Sequence, residues 1–377
     1  MDLSVLNGVI ITGQSPSGRL RGAAFIKGAK EAASAARRVY IRLRFYTSLL
    51  RPFRPCFKNP HLATLAGNFW RRAIDESRFP TREVLYDTEP GTRVLVHENR
   101  PEGEVKGEVF LHHGLEGSSR SGYMVSLAQA LCEAGYAAHR INMRGCGGTE
   151  HLTATLYHSG LTQDVREILL QTQKNAIAPR FLIGFSLGGN VALKLAGELG
   201  ETDLVTGVAA VSTPIDLHEC VRMLGAKQNW VYEQRFVRSL RARYFRRHQA
   251  HPHRFPVDGL HRTKTVFEFD DRFTAKAFGF GDAPNYYRTQ SALGFLPRIR
   301  VQTLLVQAVD DPLIPFAIYR HESIRENPAL QLAAIPNGGH LGFIARSRPR
   351  FWLDDFLIEW LESRRNNHPF RFVLTDE

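Results

Sequence analysis

The stretch Gly184-Phe185-Ser186-Leu187-Gly188 decides the fold of this chain of 377 residues. It follows the short apolar run of residues 181–183 and precedes residues 190–199, whose apolar side chains recur at helical spacing. A serine on a sharp strand-to-helix turn adopts a strained backbone, and glycines two residues to either side let the strand and the helix pass closely. The sequence therefore predicts a nucleophile elbow that exposes the hydroxyl of Ser186.

A serine hydroxyl is a weak nucleophile near neutral pH, so Ser186 requires a base and an acid that orients the base. Residues 303–307 are typical of a buried parallel strand and lead into Asp310 and Asp311. Open α/β sheets keep their functional groups at this carboxyl end. We predict Asp311 as the acid because Pro315 follows it by four residues, as in the common loop of this architecture. Asp310 is the alternative.

The predicted base is His340, which follows the strand-like residues 331–335 within a glycine-rich loop. The chain contains fifteen histidines, so a histidine by itself carries no functional meaning. His340 combines the position after the last predicted strand with flanking glycines that let its ring reach the serine. The order serine, acid, histidine predicts a catalytic triad of Ser186, Asp311 and His340.

We predict that the backbone N–H groups of Leu115 and Leu187 form an oxyanion hole. Leu187 directly follows the serine and begins the predicted helix, where backbone amides point toward the reacting group. Leu115 follows a His113-Gly114 pair in the loop after the strand-like residues 107–112. We expect His113 to shape this loop rather than to catalyse.

Eight strand-like segments predict an α/β fold with a mainly parallel, eight-stranded sheet and helices on both faces. From the third segment onward they alternate with helical patterns, which is typical of parallel sheets. The turn at Pro90-Gly91 is too short for a parallel crossover, so the sheet should begin antiparallel. The segments are residues 82–87, 93–97, 107–112, 136–141, 180–184, 205–212, 302–306 and 330–335.

Residues 216–296 interrupt this alternation and are rich in arginine, histidine and aromatic residues. We expect a helical cap that shields the site from water and shapes the binding pocket. The cap would be an insertion in a catalytic domain of residues 56–377, preceded by a basic extension of residues 1–55. The pair Asp270-Asp271 lacks His or Cys at metal-ligand spacing, so we expect neither a metal nor another cofactor.

The net charge of +12 is concentrated in residues 19–54, where Glu31 is the one acid. Basic residues interleaved with aromatic and aliphatic ones suit a helix resting on an anionic membrane surface, so peripheral contact at the inner membrane is one hypothesis. A solvated extension, or residues ahead of the true start, are the alternatives. The charge is not accompanied by a nucleic-acid fold or stacking motif, so we expect no nucleic-acid partner.

Four cysteines without paired spacing and the lack of a signal-peptide pattern favour a cytoplasmic location. No apolar run approaches the roughly 18 residues that a membrane-spanning helix needs. The sequence therefore predicts a chain that does not cross a bilayer.

Seven segments of the sequence resemble the YheT-like branch of the α/β-hydrolase superfamily. The resemblance implies a serine hydrolase that cleaves carboxylic esters of small molecules or lipids through an acyl-enzyme on Ser186. An acyltransferase on the same triad and an idle binding protein of the same fold are the alternatives. The segments are Asn59-Pro60-His61-Leu62-Ala63-Thr64, His113-Gly114-Leu115-Glu116-Gly117, Arg144-Gly145-Cys146-Gly147-Gly148, Tyr157-His158-Ser159-Gly160, Gly184-Phe185-Ser186-Leu187-Gly188-Gly189-Asn190, Glu268-Phe269-Asp270-Asp271 and Gly338-Gly339-His340-Leu341-Gly342-Phe343.

Overall fold

The central sheet has eight strands in the order β1-β2-β4-β3-β5-β6-β7-β8, in a computed structural model that describes residues 52–372. β1 pairs with β2, and β2 with β4, in antiparallel orientation, and all later pairs are parallel. The predicted fold class and the antiparallel start are thereby confirmed. The strands are β1 (Arg82–Glu89), β2 (Thr92–Asn99), β3 (Glu108–His112), β4 (Ala137–Ile141), β5 (Arg180–Phe185), β6 (Gly207–Val211), β7 (Gln302–Ala308) and β8 (Leu330–Ile335).

Helices cover both faces of the sheet because its buried strands are apolar on both sides. In β5, Phe181 and Ile183 belong to one apolar core and Leu182 to the other. Helices α2 and α11 pack on the first side, and α3 and α4 on the second. The helices are α1 (Pro60–Phe69), α2 (Gly122–Glu133), α3 (Gln163–Thr172), α4 (Leu187–Leu199), α5 (Leu217–Leu224), α6 (Trp230–Ala250), α7 (Val266–Phe269), α8 (Ala275–Ala277), α9 (Ala283–Gln290), α10 (Glu322–Glu326) and α11 (Trp352–Arg365).

The chain leaves the sheet after β6 and returns at β7, and α5 to α9 lie in between. Asn190 of α4 anchors the end of this excursion to the main body. Its Nδ2 donates to the carbonyl oxygens of Ser159 and Gln290, each at 2.9 Å, and its Oδ1 accepts from the N–H of Ala292 at 2.8 Å. One buried amide therefore ties the returning chain to the helix that follows Ser186.

Residues 1–51 of the predicted basic extension, which spans residues 1–55, lie outside the described residues. Most of the segment assigned to membrane contact, residues 19–54, therefore lies outside them too. The Phe53 and Trp352 rings lie 5.0 Å apart and are tilted by 41°, and Pro55 forms an antiparallel bridge with Ala345. Phe53 and Pro55 therefore pack against residues near the C-terminal end of the described chain. Within residues 52–372, no helix is long and apolar enough to span a membrane.

Candidate active site

Ser186 occupies a strained turn between β5 and α4. Its backbone has φ +50° and ψ −119°, values that a residue with a side chain rarely adopts. Its N–H donates to the carbonyl oxygen of Val211 at 2.8 Å, which fixes the turn against β6. A Cβ on Gly184 would lie 2.2 Å from the oxygen of Gly188, and one on Gly188 would lie 2.3 Å from the oxygen of His112. Both glycines are therefore required by close backbone approach.

The structure brings Ser186, His340 and Asp311 into one chain of hydrogen bonds. Nε2 of His340 lies 3.0 Å from Oγ of Ser186, and Nδ1 lies 2.9 Å from Oδ2 of Asp311. An ionised carboxylate only accepts hydrogen bonds, so Nδ1 carries the proton and Nε2 presents its lone pair to the serine hydroxyl. The arrangement can thus accept the proton of Ser186.

Asp311 is fully buried, and several donors compensate the removal of its carboxylate from water. Oδ1 accepts from the N–H groups of Leu313 at 2.9 Å and Ile314 at 3.1 Å. Oδ2 accepts from Nε2 of Gln307 at 3.3 Å in addition to His340. These bonds hold the carboxylate in place beside the imidazole of His340.

Asp310 holds the loop that carries the histidine. Its Oδ1 accepts from the N–H of Gly339 at 2.9 Å, and its Oδ2 accepts from Nδ2 of Asn337 at 3.3 Å. Burial raises the pKa of the Asp310 carboxyl above its ordinary value. The geometry therefore places Asp311, rather than the alternative Asp310, against the imidazole of His340.

Helix α1 supports the histidine loop through Thr64, whose importance the sequence analysis missed. Oγ1 of Thr64 accepts from the backbone N–H of His340 at 2.8 Å and donates to the oxygen of Pro60 at 2.7 Å. A Cβ on Gly339 would lie 2.4 Å from that same oxygen, so the loop and the helix are in backbone contact. The available signal was Asn59-Pro60, a helix-start pattern within a segment that the resemblance singles out, and Asn59 indeed caps α1.

The two predicted oxyanion donors lie on either side of Ser186. Leu187 is the first residue of α4, so its N–H has no partner within the helix. Leu115 follows Gly114, where a Cβ would lie only 3.0 Å from the Cβ of Ser186. Neither N–H has an acceptor among residues 52–372, which leaves both free for a ligand. The sequence analysis missed Tyr123, whose hydroxyl accepts from the N–H of Gly114 at 3.0 Å and fixes this loop.

His113 shapes the loop next to Ser186. Its Nδ1 donates to the oxygen of Gly114 at 2.8 Å, and its Nε2 accepts from the N–H of Met143 at 3.0 Å. Burial, together with the nearby His112, lowers the pKa of His113 to about 3. A neutral ring with both nitrogens engaged cannot serve as a base, in agreement with the loop-shaping function expected from the sequence.

Residues 108–347 match the family model described as alpha/beta hydrolase fold. The chain is also 32% identical over 311 residues to YheT of Escherichia coli (strain K12), which is named as a candidate esterase. That alignment covers 81% of this chain and 91% of YheT. The chain belongs to the α/β-hydrolase family.

Other relatives of this α/β hydrolase carry the names of lipid enzymes. Phospholipase ABHD3 of Homo sapiens is 27% identical over 247 residues, which are 64% of this chain and 60% of that protein. Monoacylglycerol lipase of Saccharomyces cerevisiae (strain ATCC 204508 / S288c) is 25% identical over 306 residues, 78% of this chain and 68% of that protein. These names place the chain among the esterase- and lipase-type members of the family.

A solved structure supports the fold alone. The Pyrococcus furiosus esterase Pf2001 has a TM-score of 0.52 at 16% identity, and the match covers 78% of this chain and 98% of that chain. The likeness concerns the fold rather than any particular substrate.

Ser186 and His340 open into a cavity of about 1040 Å³, a volume that includes its solvent-open mouth. Helix α5 lines the cavity with side chains at positions i, i+3, i+4 and i+7, which share one face of a helix. The remaining wall includes side chains from α6, α7, α9, residues 156–159 and the loop after Asp311. The apolar lining residues on α5 and that loop are Leu217, Cys220, Val221, Leu224, Leu313 and Ile314.

Asp270 also lines this cavity, with its carboxyl held by two hydroxyl groups. Tyr287 donates to its Oδ2 at 2.8 Å and Thr274 to its Oδ1 at 2.7 Å. Burial raises the pKa of Asp270 to about 6. No group of three or more potential ligands positioned to hold a metal ion occurs within residues 52–372, and Asp270 is instead satisfied by hydroxyl donors.

The segment Arg144–Gly148, which the resemblance singles out, is fixed by a buried ion pair. Nε of Arg144 donates to Oδ2 of Asp164 at 2.8 Å, and Thr88 donates to Oδ1 of the same carboxylate at 2.6 Å. Both charged side chains are almost fully buried. Asp164 is therefore a packing acid that holds the loop beside the cavity.

Proposed function

We propose that this α/β hydrolase is a serine hydrolase that cleaves carboxylic esters through an acyl-enzyme on Ser186. The observation that carries the proposal is the unbroken hydrogen-bond chain from Oγ of Ser186 through His340 to Asp311, which opens onto a largely apolar cavity. A pure binding protein would have no physical reason to combine this chain with two free backbone donors beside it.

In the proposed mechanism, His340 Nε2 takes the proton as Ser186 Oγ attacks the ester carbonyl carbon. The negative charge on the carbonyl oxygen is stabilised by the N–H groups of Leu115 and Leu187. His340 then gives its proton to the leaving alcohol, and the acyl group stays on Ser186. Water then attacks the acyl-enzyme in the same manner, which releases the acid and restores the serine. Asp311 stabilises the imidazolium in both steps.

We further propose that residues 216–296 act as a cap that selects the acyl group. The support is that α5, α6 and α7 all contribute side chains to the cavity that contains Ser186. An apolar wall suits the aliphatic part of an ester, since burial of apolar surface favours binding at roughly 25 cal/mol per Å². The esterase and lipase names of the relatives are consistent with such a substrate.

Reaction with a fluorophosphonate probe tests the proposed nucleophile. We expect wild type to be labelled and Ser186→Ala to be unlabelled while retaining its circular dichroism spectrum. The matched control is Ser159→Ala, which also removes a hydroxyl from the cavity but should retain labelling. Hydrolysis of p-nitrophenyl esters from acetate to palmitate gives the preferred chain length. A folded wild-type protein that neither reacts with the probe nor cleaves any ester would contradict the proposal.

A cytoplasmic location and peripheral contact with the inner membrane are also proposed. The four cysteines are free, which fits a reducing compartment. The basic segment lies outside the described residues, so its membrane contact stays a prediction from sequence. Flotation of the full chain with anionic vesicles, compared with a variant in which Arg37, Arg38, Arg42 and Arg44 are replaced by Gln, tests it. Equal binding of both forms contradicts the contact.

A further inference from the structure

Two arginines of α6 line the same cavity as Ser186 and are removed from bulk solvent. Arg243 is 8% exposed and Arg247 is 1% exposed. They lie four residues apart, so their side chains leave the same face of the helix. The part of the cavity wall that Arg243 and Arg247 of α6 form is therefore basic, in contrast to the apolar wall formed by α5.

The two guanidinium groups differ in their partners. Arg243 forms an ion pair with Glu116, with Nη2 3.0 Å from Oε1. Arg247 has no carboxylate partner within residues 52–372, and its Nη1 donates to the carbonyl oxygen of Thr153 at 2.6 Å. The nearby carboxylate of Glu150 is instead engaged by Arg246. A buried cation without a counter-charge is unfavourable unless something else supplies that charge.

Both arginines also keep an unused donor. Nε of Arg243 and Nε of Arg247 are buried and have no hydrogen-bond partner. Burial lowers the pKa of Arg247 to about 10, and the positive charge of Arg243 contributes to the same shift. An anion beside the two guanidinium groups would supply a counter-charge and reduce this repulsion.

Gly145 creates the space that Arg247 occupies. A Cβ on Gly145 would lie 1.7 Å from Nη2 of Arg247, and the backbone of Gly145 has φ +70°. The glycine-rich segment after Arg144 thus serves to admit a guanidinium beside the cavity. The other two charged groups of the lining are already satisfied, Arg144 by Asp164 and Asp270 by hydroxyl donors.

We propose that Arg243 and Arg247 bind an anionic group of the ester substrate, a phosphate or a carboxylate, while the α5 wall takes its aliphatic part. The proposal rests on the proposed ester hydrolysis and deepens it by naming the substrate class. A guanidinium presents several N–H donors in one plane, which matches the oxygens of both anions. The binding itself does not depend on turnover and can be measured separately.

Isothermal titration with octyl phosphate, octanoate and octanol tests the proposal without requiring catalysis. We expect at least one anion to bind wild type about tenfold more tightly than octanol, and Arg247→Gln to lose that advantage. Arg247→Lys keeps the charge without the planar donors and should be intermediate. The matched control is Arg238→Gln, on the exposed face of α6, which should bind like wild type.

The two anions distinguish the source of the charge, since preference for octyl phosphate indicates a phosphate group and preference for octanoate a carboxylate. Equal binding of all three compounds by wild type, or an unchanged anion preference in a folded Arg247→Gln, overturns the proposal. Hydrolysis of neutral p-nitrophenyl octanoate by the same variants provides the separation from the proposed function. Hydrolysis by wild type together with loss of anion binding in Arg247→Gln supports both proposals, whereas anion binding without any hydrolysis in wild type contradicts only the esterase activity.

Discussion

Nδ1 of His340 lies 2.9 Å from Oδ2 of Asp311, and the adjacent Asp310 instead accepts the backbone N–H of Gly339 at 2.9 Å. Two consecutive acids thus act on the same histidine loop in different ways. Asp311 orients the imidazole ring, and Asp310 fixes the backbone one residue before that ring. The different partners of Asp310 and Asp311 explain why two acids follow β7, although a triad needs only one.

Substitution of the two acids by asparagine should separate these functions. In Asp311→Asn, the amide can donate to Nδ1 and favour the wrong tautomer, so kcat should fall by roughly 10⁴-fold, as for the corresponding change in a serine protease. In Asp310→Asn, the imidazole keeps its partner, and misplacement of the loop should reduce kcat by no more than about 100-fold. Steady-state hydrolysis of one p-nitrophenyl ester measures both. A larger loss in Asp310→Asn than in Asp311→Asn would reverse the assignment.

The glycines around Ser186 should be intolerant of even one methyl group. In Gly184→Ala, the new Cβ would lie 2.2 Å from the oxygen of Gly188, and neither backbone segment can move without displacing Ser186. We expect a loss of about 1–3 kcal/mol or more in the free energy of unfolding, together with a loss of activity. Gly294→Ala is the control, because its Cβ would meet nothing within 4 Å. Urea unfolding of both variants checks the prediction, which fails if they are equally stable.

The fold could be predicted from sequence because its signals are local. A short apolar run marks each buried strand, and Gly184 and Gly188 mark the elbow through their spacing. The termini of the strands differ from the prediction by no more than two residues, since hydrogen bonding rather than composition sets them. For example, β5 extends through Phe185, which belongs to the predicted elbow, because Phe185 pairs with Val211 of β6.

The candidate site could be predicted only where its residues follow strands. Ser186, Asp311 and His340 each follow a strand-like run by at most five residues, so their order is visible in the sequence. Thr64 and Tyr123 support the site from helices, and their contacts join residues that are distant in sequence or carry no motif. The burial of Arg243 and Arg247 of α6 could not be predicted from the sequence either. A basic helix is usually exposed to solvent, and only the tertiary packing shows that these two side chains are buried.

Enlarging Val221 should shorten the preferred acyl chain. Val221 lies on the cavity-lining face of α5, and a tryptophan there would fill part of the space next to Ser186. In Val221→Trp, we expect kcat/KM for p-nitrophenyl palmitate to fall by about tenfold or more, because the loss of a few buried methylene contacts at ~0.8 kcal/mol each suffices. Hydrolysis of the acetate ester should change little. His218→Trp, on the exposed side of the same helix, is the control. Unchanged palmitate hydrolysis in Val221→Trp would place the acyl group elsewhere.

Asp354 of α11 is a buried acid that takes no part in the proposed reaction. It should make the free energy of unfolding depend on pH. Its Oδ2 accepts from the hydroxyl of Ser126, and only 5% of the residue is exposed. Burial raises the pKa of Asp354 from 3.8 to about 7, with Arg72 and Ser126 opposing the shift and Asp355 adding to it. The folded state therefore binds a proton over a pH range in which the unfolded state has released it.

Between the unfolded pKa of 3.8 and the folded pKa of about 7, the contribution of Asp354 to the free energy of unfolding falls as pH rises. One pKa unit corresponds to about 1.4 kcal/mol, so the loss from pH 5 to pH 8 should be of order 2 kcal/mol. The asparagine in the variant Asp354→Asn cannot ionise, so the variant should lack this pH-dependent contribution. Its free energy of unfolding should therefore increase relative to that of wild type as pH rises. Urea unfolding at both pH values checks the difference, with the exposed Asp258→Asn as the control. Other groups titrate equally in wild type and in Asp354→Asn, so they cancel when the free energies of unfolding of the two proteins are compared. If the difference between these free energies does not change with pH, Asp354 is ionised in the folded protein throughout this range and the prediction is wrong.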